Sequence, residues 1–186
     1  MSDPIPFATP ADWSQWLTSH PDAKEVWLLI HRKGSGVQSI DWEQAVIEAL
    51  AHGWIDGVKK SLNETQWMQR FTPRKPGSAW SQKNITHAEK LIAEGRMTPA
   101  GLAQVAAARA NGRWETAYSG GKNADLPDDF LDAVAADPKA QEALKILDTK
   151  NRYAIYYRLT TAKRPETRAK KIAEYVAMLA RGERLY

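Results

Sequence analysis

Residues 70–84 combine the side chains and backbone features that binding an anion requires. They read RFTPRKPGSAWSQKN, so three cations precede a Gly-Ser turn and the expected start of a helix. Arginine supplies forked donors, serine supplies hydroxyls, and a helix N-terminus supplies free backbone amides. The two prolines hold the loop extended, which preorganises these donors. The segment therefore predicts a carboxylate or phosphate site that includes Arg70, Arg74, Ser78, Trp80 and Ser81.

A structural interpretation of the same loop stays open. Ser81 or Asn84 would then cap the following helix, and the arginines would pair with Asp56 or Glu64. The loop is not a phosphate-binding P-loop, because the glycine spacing and the terminal Gly-Lys-Ser/Thr of that motif are missing.

The run GWIDG at residues 53–57 places a carboxylate next to an aromatic side chain. Alternation along a strand puts Trp54 and Asp56 on the same face. Asp56 is thus either a carboxylate in an apolar pocket with altered proton affinity, or an anchor for a nearby arginine or for backbone amides. We expect Trp54 and Trp80 to flank the site with part of their surface open, and Trp27 to be a core residue.

The C-terminal part of the chain is basic. From residue 145 onwards it has 11 Lys/Arg and four Asp/Glu, a net charge of +7, whereas the preceding residues carry 15 basic and 18 acidic side chains. Arg164, Arg168 and Lys171 form a stripe on the last predicted helix, and Arg152 and Arg158 belong to the helix before it. A stripe of this kind can contact phosphates, but a solvated helix face explains it as well, and no nucleic-acid-reading motif accompanies it.

The sequence argues against several classes of chemistry. It has no cysteine, which excludes disulfides, thiolate catalysis and cysteine-based metal sites, and its four histidines lack ligand spacing. There is no nucleophile elbow, His-Glu-x-x-His run or dinucleotide fingerprint. We therefore predict no cofactor and no metal, and we assign no catalytic residue.

The elements that would position these residues predict an α+β fold. A strand is expected at 25–33, and strands at 54–62 and 65–72 form a hairpin around residues 63–64, giving a small antiparallel sheet. Helix starts are marked by Thr9-Pro10, Asp41 with Gln44, Thr86 with Glu89, Thr98-Pro99, Leu126-Pro127 and Asp137-Pro138. Two last helices cover about 150–162 and 165–181, so the C-terminal half is mostly helical.

The polar connector at residues 119–123 suggests a sheet-containing part, 1–118, and a helical part, 119–186, packed on it as one compact unit. No apolar run is long enough to span a bilayer, and the first residues lack the features of a secretory signal. We therefore expect a cytoplasmic protein without membrane insertion.

Several segments together resemble the bacterial YdeI/OmpD-associated family, also called bacteriocin-protection proteins. The resemblance lies in residues 25–28, 48–57, 71–81, 95–101, 148–158 and 162–168. It implies a link to stress responses and to tolerance of bacteriocins, without an agreed catalytic mechanism. At Lys75 the family often has a second arginine, which weakens a bidentate role there.

Three hypotheses for function follow. The first is a non-catalytic stress-tolerance protein that binds a small anionic ligand or an acidic protein segment through Trp54, Asp56, Arg70, Arg74, Ser78, Trp80 and Ser81. The second is an enzyme that uses Asp56 as a general acid or base beside these cations. The third is an adaptor for nucleic acid or acidic protein that uses the basic C-terminal helices. We favour the first.

Overall fold

A computed structural model describes residues 3–119 and 125–186 of the chain. Over these residues it has four strands and eight helices, which confirms the predicted α+β class. The chain divides into two compact units, an N-terminal unit (Met1–Ala117) and a C-terminal unit (Tyr118–Tyr186). Residues 120–123 of the predicted connector lie outside the described residues.

The N-terminal unit contains one sheet. Its strands are β1 (Ile5–Pro6), β2 (Val26–His31), β3 (Trp54–Ser61) and β4 (Gln66–Pro73), in the order β1-β2-β4-β3. The antiparallel pairing of β3 with β4 is the predicted hairpin, and β2 joins the same sheet by pairing antiparallel with β4. The short β1, which pairs parallel to β2, was not predicted, because two residues that include a proline show no alternation.

Four helices belong to the N-terminal unit: α1 (Pro10–Ser19), α2 (Trp42–Ala51), α3 (Gln82–Ala93) and α4 (Pro99–Ala110). The predicted capping box of α2, formed by Asp41 and Gln44, is confirmed. The predicted capping box at Thr86 is wrong, because α3 begins at Gln82. The Ser81 hydroxyl caps α3 by accepting a hydrogen bond from the Asn84 backbone N–H at 3.1 Å. The Thr86 hydroxyl instead donates to the carbonyl of Gln82 inside the helix.

The core of the N-terminal unit is rich in aromatic side chains. Trp13 and Phe71 are fully buried, with ring centroids 5.6 Å apart. Helices α2 and α4 approach closely at Gly101, where an added Cβ would lie 2.3 Å from the carbonyl oxygen of Ala51. Only a glycine permits that approach.

The C-terminal unit consists of α5 (Asp128–Ala135), α6 (Pro138–Lys145), α7 (Thr149–Thr160) and α8 (Pro165–Ala180). It has its own apolar core, which includes the fully buried Phe130. The buried Asn151 holds the residues after α8, because its Oδ1 accepts hydrogen bonds from the backbone N–H groups of Leu185 and Tyr186 at 2.9 and 3.1 Å. Across the described part of the chain, every helix is too short or too polar to cross a membrane.

Candidate functional site

The loop at residues 73–81 begins beside the GWIDG strand, as the hairpin predicts. Ile55 pairs with Thr72 across β3 and β4. The backbone N–H of Arg74 donates to the carbonyl of Gly53 at 2.9 Å, which extends the pairing by one hydrogen bond beyond the strands. The register of β3 against β4 then shifts between Asp56 and Lys59, as at a β-bulge. The exposed strand segment at the bulge is held by the buried side chain of Gln69, which donates to the carbonyl of Gly57 at 2.8 Å.

Asp56 lies on the face of β3 that the helices cover, and its environment alters its proton affinity. Burial raises the pKa of Asp56, and this effect prevails over the hydrogen bond from Trp42 and the positive charge of Arg74, which both lower that pKa. The Trp42 Nε1 donates to the Asp56 Oδ2 at 3.3 Å. A partly buried carboxyl beside a cation and an exposed indole is therefore the chemical feature of this end of the sheet.

Arg74 and Trp80 contact each other directly, and both are buried. The guanidinium carbon of Arg74 lies 3.8 Å from the centroid of the Trp80 ring, and its Nη1 donates to the carbonyl of Ala79 at 3.3 Å. Arg74 is 5% exposed and Trp80 is 4% exposed. The expectation that Trp80 lines the site with an open face is wrong, because the loop folds inward onto the core.

Trp54 is also buried rather than open, at 6% exposure. It makes edge contacts with Trp13 and Trp16, with centroid distances of 6.4 and 6.2 Å. Its side chain therefore packs in the aromatic core on the same face of β3 as Asp56.

The other predicted site residues are engaged within the fold. Arg70 is on the opposite face of the sheet from Asp56, since Asp56 pairs in register with Phe71 and neighbouring residues on a strand point to opposite faces. The Nε of Arg70 donates to Glu25 at 2.9 Å. The Ser78 hydroxyl accepts from the backbone N–H of Lys75 at 3.1 Å and closes the turn. The Ser81 hydroxyl caps α3. The structure thus brings Asp56, Arg74 and Trp80 together and separates Arg70 from them.

The end of α4, which the sequence patterns did not mark as part of the site, meets the loop. Trp114 lies 5.0 Å from Trp80 between ring centroids, and the guanidinium of Arg109 lies 4.9 Å from the Trp114 centroid. We call the series Arg74, Trp80, Trp114 and Arg109 the Arg–Trp stack. The only signal in the sequence was a cation next to a tryptophan at residues 113–114, and its spacing gives no indication of which segment it contacts.

Cations in the loop and at the end of α4 have no acidic partner among the described residues. The side-chain amide of Asn111 donates to the carbonyl of Pro76 at 3.1 Å, which joins the end of α4 to the loop beside Lys75. Lys75, Arg109 and Arg113, here called the cationic rim, make no salt bridge with any described residue. The Nε of Arg113 is buried and has no hydrogen-bond partner in the described part of the chain.

The basic stripe of the C-terminal unit is largely engaged in its own helices. Arg168 forms a two-pronged ion pair with Asp129, at 2.7 and 2.8 Å, and also donates to the carbonyl of Leu159. Lys171 donates to the carbonyl of Arg158. These cations therefore join helices, which leaves fewer of them available for an external partner.

The described residues form no evident metal-binding site. Among residues 3–119 and 125–186, no three His, Asp or Glu side chains come together in a way that could hold an ion. The candidate site is thus made of cations, indole rings and one carboxyl with a raised pKa.

Comparison with known protein families gives two matches. A family model described as a domain of unknown function (DUF8412) matches residues 5–104, more than half of the chain. The chain belongs to this family. A second model, described as "Bacteriocin-protection, YdeI or OmpD-Associated", matches residues 123–182 and supports the resemblance noted from the sequence. No curated protein and no solved structure matches the chain.

The two matches divide the resemblance along the chain. The segments of residues 25–28, 48–57, 71–81 and 95–101 lie in the part matched by the DUF8412 family, and those of 148–158 and 162–168 lie in the part matched by the YdeI/OmpD-associated family. The second match supports a role related to bacteriocin protection in coarse terms. The candidate site, at the loop and the end of α4, lies in the N-terminal unit.

Proposed function

We propose that this member of the DUF8412 family serves bacteriocin or stress tolerance as a binding protein, and that it takes an anionic group at the cationic rim. The ligand is a small carboxylate or phosphate, or an acidic segment of a partner protein, since both offer the same oxygen atoms. The observation that carries the proposal is the buried Nε of Arg113, which has no hydrogen-bond partner among the described residues.

A buried donor without a partner is costly, because the group has lost its water and gained nothing in exchange. A ligand oxygen that accepts from Arg113 would remove this cost. Arg109 and Lys75, both exposed, would bring further positive charge to the same oxygen-rich group. A guanidinium fits a carboxylate or phosphate well, because its planar fork can donate two parallel hydrogen bonds.

The Arg–Trp stack supports the proposal by preorganising the rim. A guanidinium that lies on an indole ring has lost most of its rotamer freedom before the ligand arrives, so that binding costs less conformational entropy. Arg74, buried at the far end of the stack, contributes its charge to the local field without contacting a ligand.

Calorimetric titration tests this proposal. The purified protein would be titrated with inorganic phosphate, with citrate and with a hexa-aspartate peptide, at about 20 and about 200 mM salt. We expect binding by at least one of them that weakens with salt. Arg113→Gln should weaken binding about 10- to 100-fold, because a hydrogen bond to a charged group contributes about 1.5–3 kcal/mol.

Arg70→Gln is the matched control, since it removes an arginine from the other face of the sheet. It should leave the affinity unchanged. The proposal fails if none of the three probes binds, or if the Arg70 and Arg113 variants lose the same affinity. Preference for the peptide over both small anions would identify a protein segment as the ligand.

A second candidate function is an enzyme in which Asp56 acts as a general acid or base. The observation in its favour is the effect of burial, which raises the pKa of Asp56 towards the range useful for proton transfer. Titration of the Asp56 carboxyl by NMR tests this candidate. A midpoint at or below the ordinary value of 3.8 would remove its basis.

A further inference from the structure

An exposed tryptophan stands at the first residue of α2. Trp42 directly follows Asp41, the cap of this helix, and is 38% exposed, so part of its indole surface is open to solvent. Its Nε1 donates to the Asp56 Oδ2 at 3.3 Å. The capped backbone and this hydrogen bond together fix the ring. An aromatic ring that is fixed before a ligand arrives loses little conformational freedom on binding.

Charged side chains of opposite sign border this ring. The Nζ of Lys83, in the first turn of α3, lies 5.3 Å from the centroid of Trp42 and 2.8 Å from the Glu43 Oε1. The side chains of Lys83 and Glu43 are both about half exposed. We call Trp42, Glu43, Asp56 and Lys83 the Trp42 platform. It presents an indole surface with hydrogen-bond donors and acceptors at its margin.

A polar atom beside the platform has unused hydrogen-bonding capacity. The His87 Nε2 lies 3.5 Å from the same Glu43 oxygen, but it is buried and forms no hydrogen bond among the described residues. A buried polar atom without a partner is costly. A hydroxyl group that enters beside Glu43 would satisfy the imidazole nitrogen in either tautomer, because a hydroxyl both donates and accepts.

The charges of the platform favour a neutral ligand. The carboxyl groups of Glu43 and Asp56 disfavour an anion, which distinguishes this place from the cationic rim. An added cation would meet the ammonium of Lys83, which already pairs with Glu43. Hydroxyl groups suit both kinds of neighbour, since they donate to a carboxylate and accept from an ammonium. The open indole surface further requires an apolar face on the ligand.

A sugar ring meets these requirements, because its C–H groups form an apolar face and its hydroxyls project from the edge. We propose that the Trp42 platform binds a neutral sugar ring, which stacks on the indole while its hydroxyls bond to Glu43 and Lys83. This inference does not depend on the anion site, and it does not require that Asp56 be catalytic. One aromatic ring and a few hydrogen bonds give weak binding, so we expect a dissociation constant of about 1–10 mM.

Saturation-transfer difference NMR tests the proposal on the full chain. The methyl glycosides of glucose, galactose and N-acetylglucosamine would each be titrated to about 50 mM. At least one should give a saturable signal that is strongest on the C–H protons of one ring face. Cyclohexanol, a ring with a single hydroxyl, and glycerol, a polyol without a ring, should each bind at least about tenfold more weakly than that sugar.

Two pairs of variants locate the binding. Trp42→Ala should abolish the signal, whereas Tyr157→Ala, which removes an aromatic side chain of similar exposure (37%) from the C-terminal unit, should bind as the wild type does. Lys83→Met keeps an apolar chain near the ring and removes the donor, so it should weaken binding about 3- to 10-fold. Lys90→Met, at a more exposed lysine of the same helix, should leave binding unchanged. The lysine pair tests the site even if Trp42→Ala fails to fold.

The proposal is overturned if none of the glycosides binds at ~50 mM, or if cyclohexanol binds as tightly as the best sugar. Binding that survives Trp42→Ala, or that falls equally in the two lysine variants, overturns it as well. A tetrasaccharide of the best sugar then identifies the source of the ring. An affinity at least about fivefold above that of the monosaccharide indicates a glycan chain, and an equal affinity indicates a free sugar.

Discussion

Replacing Trp80 with alanine should destabilise the N-terminal unit severely. The ring is 4% exposed and is enclosed between the Arg74 guanidinium, 3.8 Å from its centroid, and Trp114, 5.0 Å away. Arg74 is itself 5% exposed, so water cannot readily replace the lost ring. The substitution therefore leaves a cavity and also removes the aromatic face that a buried cation lies against.

The expected decrease in the free energy of unfolding follows from these two losses. Truncating a buried tryptophan to alanine costs about 3–5 kcal/mol, because both transfer free energy and packing are lost. A desolvated cation–π contact contributes about 2 kcal/mol. Since the two contributions overlap, we expect a loss of about 5 kcal/mol in the free energy of unfolding. For a unit of this size that corresponds to a fall in Tm of about 20 °C.

Tryptophan fluorescence is the assay, because all eight tryptophans precede residue 118 and report on the N-terminal unit alone. Trp27→Ala, at a site 5% exposed, should cost a similar amount. Trp42→Ala, at a site 38% exposed, should cost less than half as much, since much of that ring already faces water. Trp80→Phe should cost an intermediate amount of stability, because it keeps an aromatic face for Arg74.

The result that would refute the reasoning is a fall in Tm of less than about 4 °C for Trp80→Ala, alongside a large one for Trp27→Ala. Trp80 would then make little contribution to packing in solution. The loop at residues 73–81 would be open, as the sequence alone suggested, and the Arg–Trp stack would lose its role in positioning the rim.

Three further predictions concern other parts of the molecule. Gly101→Ala should cost about 1–3 kcal/mol, because its Cβ would lie 2.3 Å from the Ala51 carbonyl oxygen, whereas Gly77→Ala, with open space, should be near neutral in urea denaturation. Asn151→Ala should cost about 2–4 kcal/mol by calorimetry, since it leaves two backbone N–H groups without their acceptor. The pKa of Asp56 is raised above 3.8, so the folded state binds the carboxyl proton more tightly than the unfolded state does. The stability that this difference contributes at low pH is lost as the pH rises through the raised pKa. The stability of Asp56→Asn relative to wild type should therefore increase between about pH 4 and pH 7, and a difference independent of pH would contradict this cause.

Much of the secondary structure could be predicted, because its signals are local. The capping box at Asp41 and Gln44 and the hairpin around residues 63–64 each involve groups only a few positions apart. The error at Thr86 has the same origin. Two overlapping cap signals lay within six residues, and Ser81 prevailed over Thr86 because α3 starts directly after the loop.

The candidate site was only partly accessible to the same reasoning. Alternation placed Trp54 and Asp56 on one face, and the hairpin brought Arg74 to them. By contrast, residue type alone could not show which cations of the loop belong to the site. Arg70 and Arg74 have the same chemistry, but strand register sends Arg70 to Glu25 on the other face, and the turn of the loop buries Arg74 against Trp80.

The sequence by itself determined the class of fold, most element starts and the gathering of cations and tryptophans in the first two-thirds of the chain. Only the tertiary structure decided that Trp80 meets Trp114 and that the end of α4 completes the cationic rim. The physical reason is the range of the interactions. Caps and alternation depend on backbone neighbours within a few residues, whereas the Arg–Trp stack forms between segments that meet only when helices pack on the sheet.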